Sequence, residues 1–122
     1  MDQNHTFGLV LDCQSPEDLA EFWAAALGYL NVGAAGAYVI LLPDGRPGPK
    51  LLLQRVPETK TVKNRMHLDI DAADIEAEAA RLERLGARRL AHEPLHEHDT
   101  RWILMADPEG NEFCVCDGGA GG

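Results

Sequence analysis

The chain has 122 residues, 45% of them hydrophobic, with 11 Lys and Arg against 20 Asp and Glu and a formal net charge of -9. That length suits one compact domain, and the acidic balance argues against a nucleic-acid or anionic-membrane surface, since either needs clustered basic residues. No apolar run approaches the roughly 20 residues of a membrane span, the first residues carry no basic-then-apolar leader, and an odd number of cysteines makes no disulfide framework, so the chain reads as soluble and cytoplasmic with free thiols.

In chain order, His5 to Cys13 reads as a strand, with Phe7, Leu9 and Leu11 on one face and Gly8, Val10 and Asp12 on the other. Ser15-Pro16-Glu17-Asp18 opens a helix with an N-cap serine and a proline at its first position, and the helix runs through Leu19, Phe22 and Trp23 to stop at Gly28. Tyr29 to Val32 is a short strand, Gly33 to Gly36 a turn, Tyr38 to Leu42 a strand, and Lys50 to Val56 a fourth. Pro57 to Asn64 is a polar connector.

The most informative stretch follows it. Met66, Leu68 and Ile70 alternate with His67, Asp69 and Asp71, the period-two pattern of a strand with one oily face and one chemical face. Ala72 to Leu85 carries apolar residues at helical spacing and ends at Gly86. Ala87 to Ala91 is a strand, His92 to Thr100 a polar loop and Arg101 to Ala106 a strand; Asp107-Pro108-Glu109-Gly110 is a type I turn before a last strand, Glu112 to Asp117. Gly118 to Gly122 has nothing to bury and reads as a flexible tail.

The two halves repeat. Leu27-Gly28-Tyr29 answers Leu85-Gly86-Ala87, Ser15 answers Asp74, and Pro43-Asp44-Gly45 answers Pro108-Glu109-Gly110. Strand, helix and three strands occur twice, in modules of about residues 5–57 and about 65–117 of a single domain. The expected class is α+β: two βαβββ modules forming curved mixed sheets around a central cleft, helices on the outer face.

In this order the motifs resemble the vicinal oxygen chelate superfamily, the glyoxalase, bleomycin-resistance and extradiol-dioxygenase group, and most of all its small glyoxalase-like domain proteins. The residues that carry the resemblance are Leu11-Asp12-Cys13 with Ser15-Pro16, Phe22-Trp23, Leu27-Gly28-Tyr29, His67-Leu68-Asp69, Leu85-Gly86-Ala87 and Asp107 to Phe113. In metal-using members an ion is held by the first and last strands of each module. The resemblance puts His67 at one ligand position and Gly8, Gln54 and Cys114 at the others, a poor quartet because glycine has no donor and an amide is a feeble one. No cofactor is therefore expected; a divalent metal, if bound, would use His67 with Cys114 and Gln54.

The residues themselves favour a protein that binds a small molecule in the cleft, with Tyr38, Gln54, His67, Asp69, Trp102 and Cys114 as its contacts. The alternative is a metal-dependent or metal-free lyase, isomerase or dioxygenase of the glyoxalase type, in which His67 is a ligand or general base. A third reading is a regulatory or dimerisation module with a filled cleft. The resemblance implies a homodimer. His92, His96 and His98, with Glu93, Glu97 and Asp99, read as a solvated loop because Pro94 interrupts them; Lys60, Lys63 and Arg65 read as ion-pair partners of the abundant acids.

Overall fold

The computed structural model describes residues 5–91, 93–97 and 99–117. The chain divides into two compact units, Met1–Thr59 and Lys60–Gly122. The expected tail, with His92 and His98, lies outside the described residues.

The first unit comprises β1 (Gly8–Cys13), α1 (Pro16–Leu27), β2 (Tyr29–Ala35), β3 (Tyr38–Pro43) and β4 (Lys50–Arg55). Its sheet has the order β1-β4-β3-β2, with β1 parallel to β4 and the other pairs antiparallel. Period-two burial assigns the faces. Val39, Leu41, Leu51 and Leu53 are buried, and α1 supplies Leu19, Phe22, Trp23 and Ala26 against them; the Phe22 and Trp23 rings meet edge to face at 5.0 Å. Ser15 sits at the N-cap and its carbonyl accepts from Leu19 N at 2.9 Å, while Gly28 ends the helix at φ +68°.

The second unit comprises β5 (Asp69–Asp71), α2 (Ile75–Leu85), β6 (Arg88–Arg89), β7 (Leu95–Glu97), β8 (Thr100–Ala106) and β9 (Glu112–Cys116). The sheet order is β5-β9-β8-β6, and β7 also pairs with β8. Ile103, Met105, Phe113 and Val115 form its buried face, with Ile75, Ala79 and Leu82 of α2 above them. Each unit is thus a mixed sheet covered on one face by one helix, and the expected α+β class holds, with sheets of four and five strands and no closed barrel among the described residues. No helix among them is long and apolar enough to cross a membrane.

Several boundaries differ from the sequence reading, each for a local reason. The strand expected at Tyr29 to Val32 continues as β2 through Gly33 to Ala35, because a bulge between Asn31 and Gly33, pinned by Gly33 N donating to Asn31 Oδ1 at 2.9 Å, absorbs the glycine rather than turning at it. The turn is left to Gly36 and Ala37, with Gly36 at φ +63°. Helix α2 begins at Ile75 rather than Ala72, since Asp74 is the first residue able to cap it and its Oδ1 accepts from Ala77 N at 3.0 Å. The polar segment after Ala91 contributes β7, and the strand at Ala87 to Ala91 shrinks to Arg88–Arg89. His96 therefore lies on a strand, not in a loop.

The largest difference concerns Met66. Only Asp69–Asp71 forms the regular ladder, and Met66 is 74% exposed instead of facing the core. Residues upstream are held on β9 by side chains. Asn64 N donates to Glu112 Oε1 at 2.9 Å and Glu112 N donates to Asn64 Oδ1 at 2.9 Å, while Lys60 Nζ pairs with Glu112 Oε2 at 3.1 Å. The amide of Asn64 stands in for the missing strand backbone, and the segment from Lys60 onward is part of the second unit rather than a linker. Asn64→Ala is expected to cost about 1–2 kcal/mol in urea unfolding. The Asn64 N–H, then Lys60, hold the Glu112 carboxyl below the usual carboxylate range. A depressed folded pKa means that this contribution is complete above about pH 4.3 and is lost as pH falls further. Glu112→Gln should therefore flatten the acid side of the stability-pH profile.

Candidate functional site

In each unit one sheet face carries the helix and the other carries the residues singled out from the sequence. In the second unit β5 runs parallel to β9 with Asp69 opposite Cys114 and Asp71 opposite Cys116, and β8 sets Leu104 opposite Cys114 and Trp102 opposite Cys116. Phe113 and Val115 face α2, so Cys114 and Cys116 face away from it.

His67, Asp69 and Cys114 converge there: their ligand atoms all lie within 4.8 Å of one another. His67 Nδ1 is 3.3 Å from Asp69 Oδ1. A carboxylate beside Nδ1 favours the tautomer protonated on that nitrogen, which leaves Nε2 as an acceptor. Cys114 is only 7% exposed, whereas His67 and Asp69 are exposed. The arrangement is a buried thiol beneath an imidazole and a carboxylate that reach solvent.

Burial, reinforced by the negative charge of Asp69 and opposed by Lys63, pushes the Cys114 thiol above its ordinary pKa. Burial acts more strongly at Cys116, with Asp69 next, and raises it to about 11. Both are thiols, not thiolates, at neutral pH. Alkylation of Cys116 by iodoacetamide at pH 7 should be more than about a hundredfold slower than that of a free cysteine, for which a mass-spectrometric time course is the check.

In the first unit Tyr38 lies directly opposite Gln54, both half-buried on the face away from α1. Trp102 is also half-buried, one strand beyond Cys116. The ladders revise one equivalence. The N-caps Ser15 and Asp74 set an offset of 59 between the first strands. At that offset Val10 answers Asp69; Val10 is opposite Leu52, so Leu52 answers Cys114. Gln54, opposite Asp12, answers Cys116 instead, and Tyr38 answers Trp102. The first unit therefore offers Gly8 and Leu52 at the two positions that in the second unit are His67 and Cys114. Neither has a donor.

The second unit alone fits an ion better than the quartet expected from the sequence. Imidazole, carboxylate and thiolate are the donor types of zinc and related borderline ions, and a tetrahedral ion holds its ligands about 3.3–3.8 Å apart, within reach of small rotamer changes here. Asp69, read from the sequence as a ligand contact, is the third donor. The signal was His-x-Asp on one strand, but its partner could be known only from the cross-strand register.

The model of the glyoxalase-like domain family matches residues 8–116. The chain belongs to that family. Solved structures agree in fold at low identity. A glyoxalase/bleomycin resistance protein/dioxygenase from Nocardioides superposes with a TM-score of 0.71 at 18% identity, covering 95% of this chain and 84% of that one. A family enzyme from Burkholderia phytofirmans gives 0.70 at 14% identity, over 88% and 94% of the two chains. The fosfomycin resistance protein FosX from Mesorhizobium loti gives 0.69 at 18% identity, over 97% and 94%. No curated protein sequence gives a significant match. The glyoxalase-like domain thus spans nearly all of this chain, in the vicinal oxygen chelate superfamily, whose members bind small molecules and often metals.

Proposed function

We propose that this glyoxalase-like protein binds a small molecule against the helix-free faces of its sheets, without requiring the superfamily's metal centre. The observation that carries the reading is the convergence of His67, Asp69 and Cys114 on such a face, with Trp102 nearby as a stacking surface. Tyr38 and Gln54 supply a phenol and an amide on the corresponding face of the first unit. His67 and Asp69 anchor the polar end of the ligand, and the raised thiol of Cys114 donates rather than attacks. We further read the protein as a cytoplasmic homodimer, the first from its cysteine usage and the second from its family.

A second reading is favoured by the same three donors. His67, Asp69 and Cys114 would hold a divalent ion, which polarises a substrate oxygen when bound, and the activity would be that of a lyase, isomerase or dioxygenase. Elemental analysis of protein prepared without a histidine tag, paired with a ligand-observed NMR screen of small aromatic and polar fragments, separates the two. Fragment binding by metal-free protein is the expected result. About one Zn, Fe, Ni or Mn per chain, lost in His67→Ala together with all fragment binding, would replace the first reading by the second.

A further inference from the structure

We propose that the first unit carries a second site, for a small molecule with an apolar body and one anionic group, where the start of β1 meets the start of β4. A recess of about 340 Å³ opens there, lined by Thr6, Phe7, Gly8, Leu42, Pro43 and Lys50 among others. Phe7 is 70% exposed and Leu42 37% exposed, so apolar surface remains in contact with water around it. A volume of this size is at the lower end of small-ligand cavities.

The charge in the recess is Lys50, and Gly8 is what sets its position. The two residues are opposite each other in the parallel ladder. A Cβ built on Gly8 would stand 2.8 Å from Lys50 Cγ and 2.9 Å from Cε, so the lysine stem lies along the bare backbone of β1. Any side chain at Gly8 would lift it away. The ammonium is thereby placed at the apolar recess instead of extending freely from the sheet.

Other cations of the chain are matched to acids. The chain has 20 acids and 11 Lys and Arg. Arg55 pairs with Glu17, Lys60 with Glu112, Arg81 with Glu78 and Arg89 with Glu76. Among the described residues no carboxylate pairs with Lys50. An ammonium beside Phe7, Leu42 and Pro43, with the Thr6 hydroxyl in the same wall, matches a carboxylate or phosphonate on an apolar skeleton. The site is distinct from the His67 cluster and does not depend on the function proposed for it.

The probe pair is 2-naphthoate and its uncharged amide, 2-naphthamide, titrated into the full chain and followed by amide chemical shifts. Naphthoate should perturb Thr6 to Gly8, Leu42 and Lys50 with a Kd on the order of 1 mM, and the amide should bind about tenfold more weakly. Lys50→Met should remove that difference, Lys50→Arg should keep it, and His67→Ala should leave it unchanged. Equal affinity of the two probes for the wild-type chain, shifts confined to other strands, or no shifts with naphthoate would each overturn the proposal.

Discussion

Asp107→Ala is expected to lower the free energy of unfolding by about 3 kcal/mol, a large effect for a polar side chain. The side chain is 1% exposed, and its carboxylate organises the turn that delivers β9. Oδ1 accepts from Glu109 N and Asn111 N, each at 2.9 Å, and both oxygens accept from Asn111 Nδ2, at 3.2 and 3.0 Å. The backbone closes the same turn, Gly110 N donating to Asp107 O at 2.8 Å and Asp107 N to Asn111 O at 2.9 Å. Removing the carboxylate strands two backbone donors and an amide in a space that excludes water, and each stranded donor costs about 1–3 kcal/mol before relaxation. For a domain of this size a loss of about 3 kcal/mol lowers Tm by about 10–15 °C, measurable by circular dichroism. Asp107→Asn, which keeps one acceptor oxygen, should lose less than half of that. A change below about 1 kcal/mol in Asp107→Ala would show that the turn holds without its side-chain bonds.

His67→Ala is expected to weaken binding of any fragment recovered from the screen at least about thirtyfold, and Trp102→Ala about tenfold. The histidine contributes a polar contact backed by Asp69 at 3.3 Å and standing over a buried thiol, and an unanswered polar group of the ligand loses more than an ordinary exposed contact. The tryptophan contributes stacking area without a directional requirement. Met66→Ala is the control: the residue adjoins His67 in sequence but is 74% exposed, so its truncation should leave affinity within about twofold. Isothermal titration of the three variants gives all three comparisons. Equal losses in Met66→Ala and His67→Ala would mean that the segment matters only as structure.

The fold was legible because its signals are local. Ser15 and Asp74 as N-caps, Gly28 and Gly86 as C-caps, and the alternation of Val39, Leu41, Leu51 and Leu53 each depend on a few adjacent residues, and each appears where the sequence placed it. Elsewhere a tertiary contact overruled a local signal. Met66 alternates as a strand residue, yet the Asn64 and Glu112 exchange takes the place of strand pairing at that point. Gly33 looks like a turn but sits in a bulge held by Asn31.

For the candidate site the boundary is the same. Period two placed His67 and Asp69 together, but no sequence pattern says that Asp69 faces Cys114 while Asp71 faces Cys116, because register is set by the whole sheet. The equivalence of Gln54 and Cys114 failed for that reason. The stem of Lys50 lying on Gly8 was likewise hidden, since it depends on two strands far apart in the chain meeting in register. The expected roles of Tyr38, Gln54 and Trp102 rest on their faces, which the ladders now assign within each unit.

The most direct measurement is amide chemical-shift mapping of tag-free, metal-free protein with a fragment that binds. If the helix-free face of the second sheet is the binding surface, shifts will concentrate at His67, Asp69–Asp71 and Glu112–Cys116 and leave Ile75–Leu85 of α2 unmoved. Shifts concentrated on α2, or binding that appears only after a divalent metal is added, would contradict the account.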